Sequence, residues 1–283
     1  MKYSLIILFF LIVKTTIAQE DTLRIIDILD KMDSAITHHK TLEFKFYKEE
    51  RCTDHNEYSI SEVKVICDST YCVYMKSNSP RDGMEILYRE GKNDDKVLIN
   101  PNSFPYFNMN IKPEGSLIRE NQHHFIYNLG FQSVQEIVRN FRRMHADSLD
   151  EYIVRDNDYI WEKTPVYKIR IVYTPFGFYD YKVKEGQTVD YIANELFVNA
   201  YMIIEANEKV DDYYDIEAGQ IIKVPNNYGK VCEMFIDKKN YLPIRQVIWD
   251  DKGLYEKYEY KKVQASPVFK SDELEPSFKG YDF

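Results

Sequence analysis

Apolar positions along the first hundred residues follow two rhythms. Over residues 21–38, Leu23, Ile26, Leu29 and Ile36 recur at helical spacing, and Ile25, Ile28 and Met32 widen the stripe, which predicts an amphipathic helix. From Leu42 the period becomes two. Leu42, Phe44 and Phe46 alternate with polar residues, as do Val63, Val65 and Cys67. Tyr71–Lys76, Met84–Arg89 and Lys96–Ile99 continue as strands, separated by turn-rich stretches at 78–83 and 91–94. Residues 101–132 are irregular, with Pro101, Pro105, Pro113 and Gly115. A second helix follows, in which Ser133 to Glu136 read as a capping box and Ile137, Phe141 and Met144 hold helical spacing. Strand patterns resume at Val166–Tyr173, Lys230–Asp237, Ile244–Trp249 and Leu254–Tyr260.

Between the two groups of strands lies a stretch with its own rhythm. Tyr181–Val183 is a short strand ending at Gly186. Thr188 caps a helix carrying Tyr191, Ile192, Ala193 and Leu196. Asn199 caps a second helix carrying Met202, Ile203 and Ala206, and Gln220–Val224 closes the stretch before Pro225. A β-α-α-β unit with adjacent ends fits into a surface loop of another domain at little cost.

The remaining composition narrows the class. The chain has 283 residues, 44% hydrophobic and 29% charged, as in a globular protein. Its 24 Tyr and 16 Phe favour a large sheet with tyrosines on at least one face. A net charge of −9 speaks against a nucleic-acid partner, which calls for a basic footprint.

The N-terminus sets the expected compartment. Met1-Lys2, the apolar run Leu5–Val13 and small residues at Thr16 and Ala18 read as a signal peptide cut before Gln19. The run is too short to span a bilayer, and no later stretch is apolar enough, so no transmembrane segment is expected. Export across the inner membrane places the mature chain in the periplasm or cell envelope.

Export also permits disulfides among Cys52, Cys67, Cys72 and Cys232. A hairpin turning on Ser69-Thr70 sets Cys67 and Cys72 face to face, the candidate pair. Four buried free thiols are the alternative.

Residues 181–225 resemble a LysM module. Tyr181, Val183, Gly186, Thr188, Ile192, Ala193, Ile203, Asn207, Ile216, Gly219, Gln220, Val224 and Pro225 carry the resemblance in order. It implies binding to an N-acetylglucosamine glycan, in bacteria usually peptidoglycan, in a shallow groove between two loops. The first loop maps to Gly186, Gln187, Thr188 and Val189, the second to Asp212, Tyr213, Tyr214, Asp215 and Ile216. The residues suit such a ligand. Gly186 lets backbone come close, and Tyr213 or Tyr214 offers a flat wall for a sugar face. The alternative reading is a spacer in which Thr188 is only a cap and Gly186 only a turn.

The flanks, about 20–178 and 229–283, are similar to a family of exported bacterial proteins of unknown function thought to share the half-barrel of periplasmic lipoprotein carriers. Glu85 to Tyr88, Gly91-Lys92, Asn100-Pro101, His124 to Ile126, Gly130-Phe131, Leu242 to Arg245 and Tyr281 to Phe283 carry that similarity. The expected architecture is α+β: a curved antiparallel half-barrel sheet with covering helices, plus the inserted β-α-α-β LysM module. The expected divisions are a signal peptide at 1–18, half-barrel at 19–179 and 227–283, and module at 180–226. Two readings stand for the concave face: a site for an acyl chain, or a core filled by Phe44, Phe46, Met75 and Trp249. The residues favour the core.

Candidate chemistry is sparse. The sequence lacks G-x-S-x-G, H-E-x-x-H, G-x-x-x-x-G-K-[ST] and C-x-x-C motifs. Neighbouring histidines diverge on a strand or a helix, so His38-His39 and His123-His124 are not expected to hold a metal. His124 with Arg119 and Glu120 forms a polar cluster, read either as a headgroup contact at the half-barrel's mouth or as loop anchoring. Asp211-Asp212 and Asp250-Asp251 read as solvated turns. No cofactor is expected. The leading expectation is a non-enzymatic envelope protein, tethered to peptidoglycan and holding an apolar or lipid ligand such as a lipoprotein acyl chain. An envelope enzyme targeted by LysM, or a structural adaptor with a filled barrel, are the rivals.

Overall fold

A computed structural model describes residues 23–119 and 122–283; the signal-peptide reading of 1–18 and the placement of Glu120 lie outside them. Helix α1 (Ile25–His38) buries Ile28, Leu29, Met32 and Ile36 on one face, as the spacing predicts. Its entry is held by the Asp27 carboxylate, which accepts from the Arg24 amide at 3.3 Å and its guanidinium at 2.9 Å.

The chain then builds a sheet of twelve strands among the described residues: β1 (Thr41–Arg51), β2 (Asn56–Cys67), β3 (Tyr71–Ser79), β4 (Glu85–Arg89), β5 (Val97–Asn100), β6 (Met109–Ile111), β7 (Ile153–Arg155), β8 (Tyr159–Trp161) and β9 (Thr164–Val172), and, further along the chain, three more. Two short strands intervene, β10 (Phe178–Lys182) and β11 (Ile221–Pro225), which pair only with each other. The last three of the large sheet are β12 (Val231–Asp237), β13 (Pro243–Trp249) and β14 (Leu254–Ala265). Their order is β6-β5-β4-β3-β2-β1-β14-β13-β12-β9-β7, with β8 on β9 and every pair antiparallel. The two ends do not pair, so the sheet curves without closing. Helices α2 (Ser116–Arg119), α3 (Gln132–Met144) and α4 (Leu149–Tyr152) accompany it.

Alternation sets the core. Leu42, Phe44, Val63, Val65, Val73, Ile169 and Met234 point from neighbouring strands into one cluster with α1 and with Val134, Val138 and Phe141 of α3. Gln135 of α3 donates to the Asp33 carbonyl at 2.9 Å, and Arg139 pairs with the Asp33 carboxylate, fixing the two helices to each other. Ser133 is not the cap expected of it. It sits inside the first turn of α3 and donates to the Asn128 carbonyl at 3.1 Å, while Phe131 occupies the cap position without a side-chain bond.

The β2–β3 hairpin corrects the cysteine pairing. Its register sets Cys67 opposite Tyr71 and Cys72 opposite Ile66, so the turn spans Asp68, Ser69 and Thr70 rather than pivoting on Ser69-Thr70. An offset of one residue sends the two thiols to opposite faces. Cys67 lies in the main core and Cys72 against Tyr74 and Leu87 on the other side, both as free thiols. That second face is covered by the last residues of the chain, where Tyr281 stacks on Tyr74 at 3.7 Å and Glu273 pairs with Lys64 at 2.6 Å.

The β-α-α-β unit lies between two paired neighbours of the sheet, since Val172 at the end of β9 faces Val231 at the start of β12. Helices α5 (Val189–Leu196) and α6 (Ala200–Glu205) sit between β10 and β11. Thr188 accepts from the Tyr191 amide at 3.1 Å and Asn199 from the Tyr201 amide at 2.9 Å, the two caps the sequence predicts. Val183, Val189, Ile192, Ile203, Ile222 and Val224 form a second, smaller core.

Candidate functional site

Along the concave face, the side-chain row of β1 runs Leu42, Phe44, Phe46, Lys48, Glu50, from apolar to charged. The partner strands change with it. Phe46 faces Ser61 and Tyr260, Lys48 faces Ser59 and Tyr258, and Glu50 faces Glu57 and Glu256. Where the row turns polar the sheet and its covering segments stand apart, leaving a cavity of about 630 Å³. Met75, Ile86, Ile99, Ile126, Leu129 and Val134 supply apolar wall, and Glu50, His124, Gln246, Glu256 and Tyr258 a polar floor. The volume lies in the range of small-molecule sites, roughly 300–1,000 Å³. The expectation of a filled face is thereby corrected. Phe44 and Phe46 are core, but Phe46 and Met75 also border open space, and Trp249 is not among the lining residues.

The floor is an assembly of buried charge. Lys48 pairs with Glu50 at 2.8 Å, and Tyr258 donates to Glu50 at 2.5 Å and to Glu256 at 3.1 Å. Tyr228 donates to the other oxygen of Glu256 at 2.9 Å. His123 is buried between acceptors, its Nδ1 at 3.0 Å from Glu256 and its Nε2 at 2.9 Å from the Arg51 carbonyl. A carbonyl only accepts and an ionised carboxylate only accepts, so both ring nitrogens carry protons and His123 is an imidazolium. Burial alone opposes that charge, but Glu50 and Glu256 raise its pKa above the ordinary value. Burial likewise works against the Glu50 carboxylate, yet Lys48, His123 and His124 bring its pKa down to about 2. Glu256 is lowered too, against burial, by His124 and by its bond to His123. Adjacent His123 and His124 both reach Glu256, the second at 3.5 Å, because residues 122–125 are irregular rather than strand or helix. The cluster expected of His124 with Arg119 is therefore replaced: His124 joins Glu256 and Tyr228, and Arg119 turns to Asp190 at 3.0 Å.

The two loops of the small unit adjoin, because the Val189 amide donates to the Tyr213 carbonyl at 2.9 Å. Gly186 is exposed with φ +77°, a backbone conformation that L side chains rarely adopt. Gln187 folds back on its own loop, accepting from the Lys184 amide at 2.8 Å and donating to Tyr181 at 3.0 Å. Asp212 accepts from the Tyr214 amide at 2.7 Å, and Asp215 from the Asp211 amide at 3.1 Å, which shapes the second loop. Tyr214 projects with 57% of its surface exposed. Tyr213 and Val189 do not present side chains to a groove, because both are buried. The Tyr213 hydroxyl donates to the Gln122 carbonyl at 2.9 Å and its ring packs on Arg119, which removes it as a sugar platform.

The same unit is joined to the sheet by polar bonds. Arg51 grips Glu205 of α6 through two 2.8 Å bonds and also pairs with Asp250. Asp250 is buried by that pairing, which corrects its reading as a solvated turn residue. Asn199 donates to Tyr228 at 3.1 Å and accepts from Tyr255 at 2.8 Å, so the cap of α6 touches the same tyrosine that bonds Glu256.

Residues 181–225 match the family described as the LysM domain. The chain carries a LysM domain. Residues 39–174 match a second family, described as a protein of unknown function (DUF1571). No curated protein matches the chain. Solved structures similar to it include a putative outer membrane lipoprotein-sorting protein domain from Vibrio parahaemolyticus, at 8% identity and TM-score 0.32, over 88% of this chain and 95% of that one. LprF from Mycobacterium bovis is similar at 10% identity and TM-score 0.39, over 86% and 93%. The Pseudomonas aeruginosa MucA/MucB complex is similar at 10% identity and TM-score 0.38, over 88% and 59%.

The LysM domain was legible from its caps, glycines and strand ends. The polar floor was not, although β1 held the signal: the alternation that begins at Leu42 continues through Lys48 and Glu50, which places charge on the inner face. No helix of the described residues is long and apolar enough to cross a membrane. No three potential metal ligands come together among them.

Proposed function

We propose that this is an exported envelope protein of the periplasm. Its LysM domain binds peptidoglycan or another N-acetylglucosamine glycan, and its half-barrel holds an apolar or lipid ligand, a lipoprotein acyl chain being one such ligand. In this reading residues 1–18 are a signal peptide, 19–179 and 227–283 form the half-barrel, and 180–226 are the inserted module. The protein acts by binding, not by catalysis.

Two observations support the reading: an open cavity with apolar walls and a polar floor, and a LysM domain whose loops leave Gly186, Asp212, Tyr214 and Asp215 exposed. Gly186, Gln187 and Thr188 form one wall of the groove, with Val189 contributing backbone only. Asp212, Tyr214, Asp215 and Ile216 form the other, and Tyr214 is the aromatic platform. The test is pull-down on insoluble peptidoglycan. Gly186→Trp abolishes binding, and Tyr214→Ala weakens it by about 0.5–1.5 kcal/mol, the worth of one exposed stacking ring. Tyr214→Ala melts as the parent does, and Gly186→Trp, strained at its positive φ, loses about 1 kcal/mol while the half-barrel stays folded. Unchanged retention of both variants on peptidoglycan would refute the glycan site.

A further inference from the structure

The stretch from Val97 to Ile111 holds no charged side chain, in a chain whose residues are 29% charged. At its centre three aromatic rings stand in solvent: Phe104 is 84% exposed, Tyr106 80% and Phe107 62%. Phe104 and Tyr106 lean edge to face at 6.4 Å. The loop is ordered by its own polar groups. The Asn102 side chain donates to the Asp82 carbonyl at 3.1 Å, and its backbone amide donates to the Asn100 side chain at 3.0 Å. The Tyr106 amide donates to the Ser103 carbonyl at 2.7 Å. The backbone that carries the rings is thus ordered, which lowers the entropic cost of using them.

Position gives the loop its meaning. Phe104 and Pro105 line the cavity as well as facing solvent, so the loop is the rim of the cavity's opening. We propose that the Phe104–Phe107 loop is a membrane-docking element, which seats the mouth of the cavity on the surface of a lipid bilayer. Aromatic side chains are the ones favoured at a membrane interface, and charges are the ones excluded from it. Docking by the rim also gives an apolar ligand a path between bilayer and cavity that avoids water. Because the chain is acidic overall, the attachment is apolar rather than electrostatic.

The proposal rests on the cavity as a lipid site, and two readouts keep the ideas apart. The full chain is mixed with phosphatidylcholine vesicles and floated through a density gradient at low and high salt. The parent floats at both, and Phe104→Ser/Tyr106→Ser/Phe107→Ser floats about tenfold less or lower still. Phe104→Leu/Phe107→Leu, which keeps apolar bulk, floats as the parent does. In a Phe104→Trp variant, vesicles shift the tryptophan emission to the blue. Native mass spectrometry then shows whether the triple variant still carries lipid, which reports on the cavity alone. A parent that stays in the lipid-free fraction, a triple variant that floats undiminished, or release by high salt would each overturn the docking role. So would capture of the loop by a protein component without vesicle binding.

Discussion

The guanidinium of Arg119 lies 3.9 Å from the ring centre of Tyr213, with Phe125 on its other side at 3.7 Å. Arg119 belongs to the half-barrel and Tyr213 to the LysM domain, so the inserted module is fastened through the loop that carries Tyr213. The guanidinium also donates to Asp190, whose pKa burial raises and Arg119 restrains.

Removing Arg119 therefore leaves a half-buried carboxylate without its cation and two rings without their filling. Arg119→Ala is expected to lower stability by about 2–4 kcal/mol in urea unfolding. Tyr213→Phe keeps the ring contact and loses only the bond to the Gln122 carbonyl, so its cost is about 1 kcal/mol. Equal losses in the two variants would contradict the stacked arrangement.

How far the sequence reaches is visible in this same joint. The caps at Thr188 and Asn199 and the pairing of the module's end strands are local, and the spacing states them. Tyr213 and Tyr214 look alike in sequence, yet one is buried and the other exposed, because their difference is decided by Arg119 some ninety residues away. The same limit hides Glu50 and Glu256. They meet only because β1 and β14 pair across about two hundred residues, and no local pattern encodes that register. The hairpin at Cys67 shows a finer limit: one residue in the turn exchanges the face of a cysteine.

The cysteines give a direct check. Cys67 is buried, and burial pushes its thiol up to about 12. Cys72 is half-buried on the opposite face. Under oxidising conditions, peptide mapping should recover both without a mutual disulfide, and iodoacetamide should label Cys72 well before Cys67. A Cys67–Cys72 disulfide peptide would mean that the hairpin register is wrong.

The buried floor makes stability depend on pH from two sides. Glu50 falls from 4.5 to about 2 on folding, so its contribution is complete above pH 4.5 and is lost as pH falls toward 2. His123 is raised above 6.5 on folding, so its contribution is complete below pH 6.5 and is lost as pH climbs through the folded value. The cluster stabilises most between those limits. Urea midpoints across the range should pass through a maximum there, and His123→Gln should flatten the alkaline side. An unchanged alkaline limb in that variant would show that His123 is not the group responsible.

Filling the cavity tests the half-barrel separately from the LysM domain. Met75 stands on β3 between Val63 and Ile86, and its side chain is part of the cavity wall. Trp at this position keeps a strand-favouring residue and projects its added volume into empty space. Overpacking a closed core costs about 1–3 kcal/mol, but a cavity wall has room to accept the ring. Met75→Trp should therefore change urea stability by less than about 1 kcal/mol. Val65, fully buried one residue pair further along β2 and not part of the cavity wall, supplies the contrast, and Val65→Trp should be strongly destabilising. Native mass spectrometry of chain extracted gently from cell envelopes should show a bound lipid on the parent and about fivefold less on Met75→Trp. Peptidoglycan pull-down should not change, because the loops proposed to hold glycan lie on the other unit. If lipid occupancy is the same in both proteins, the cavity is not where the lipid sits.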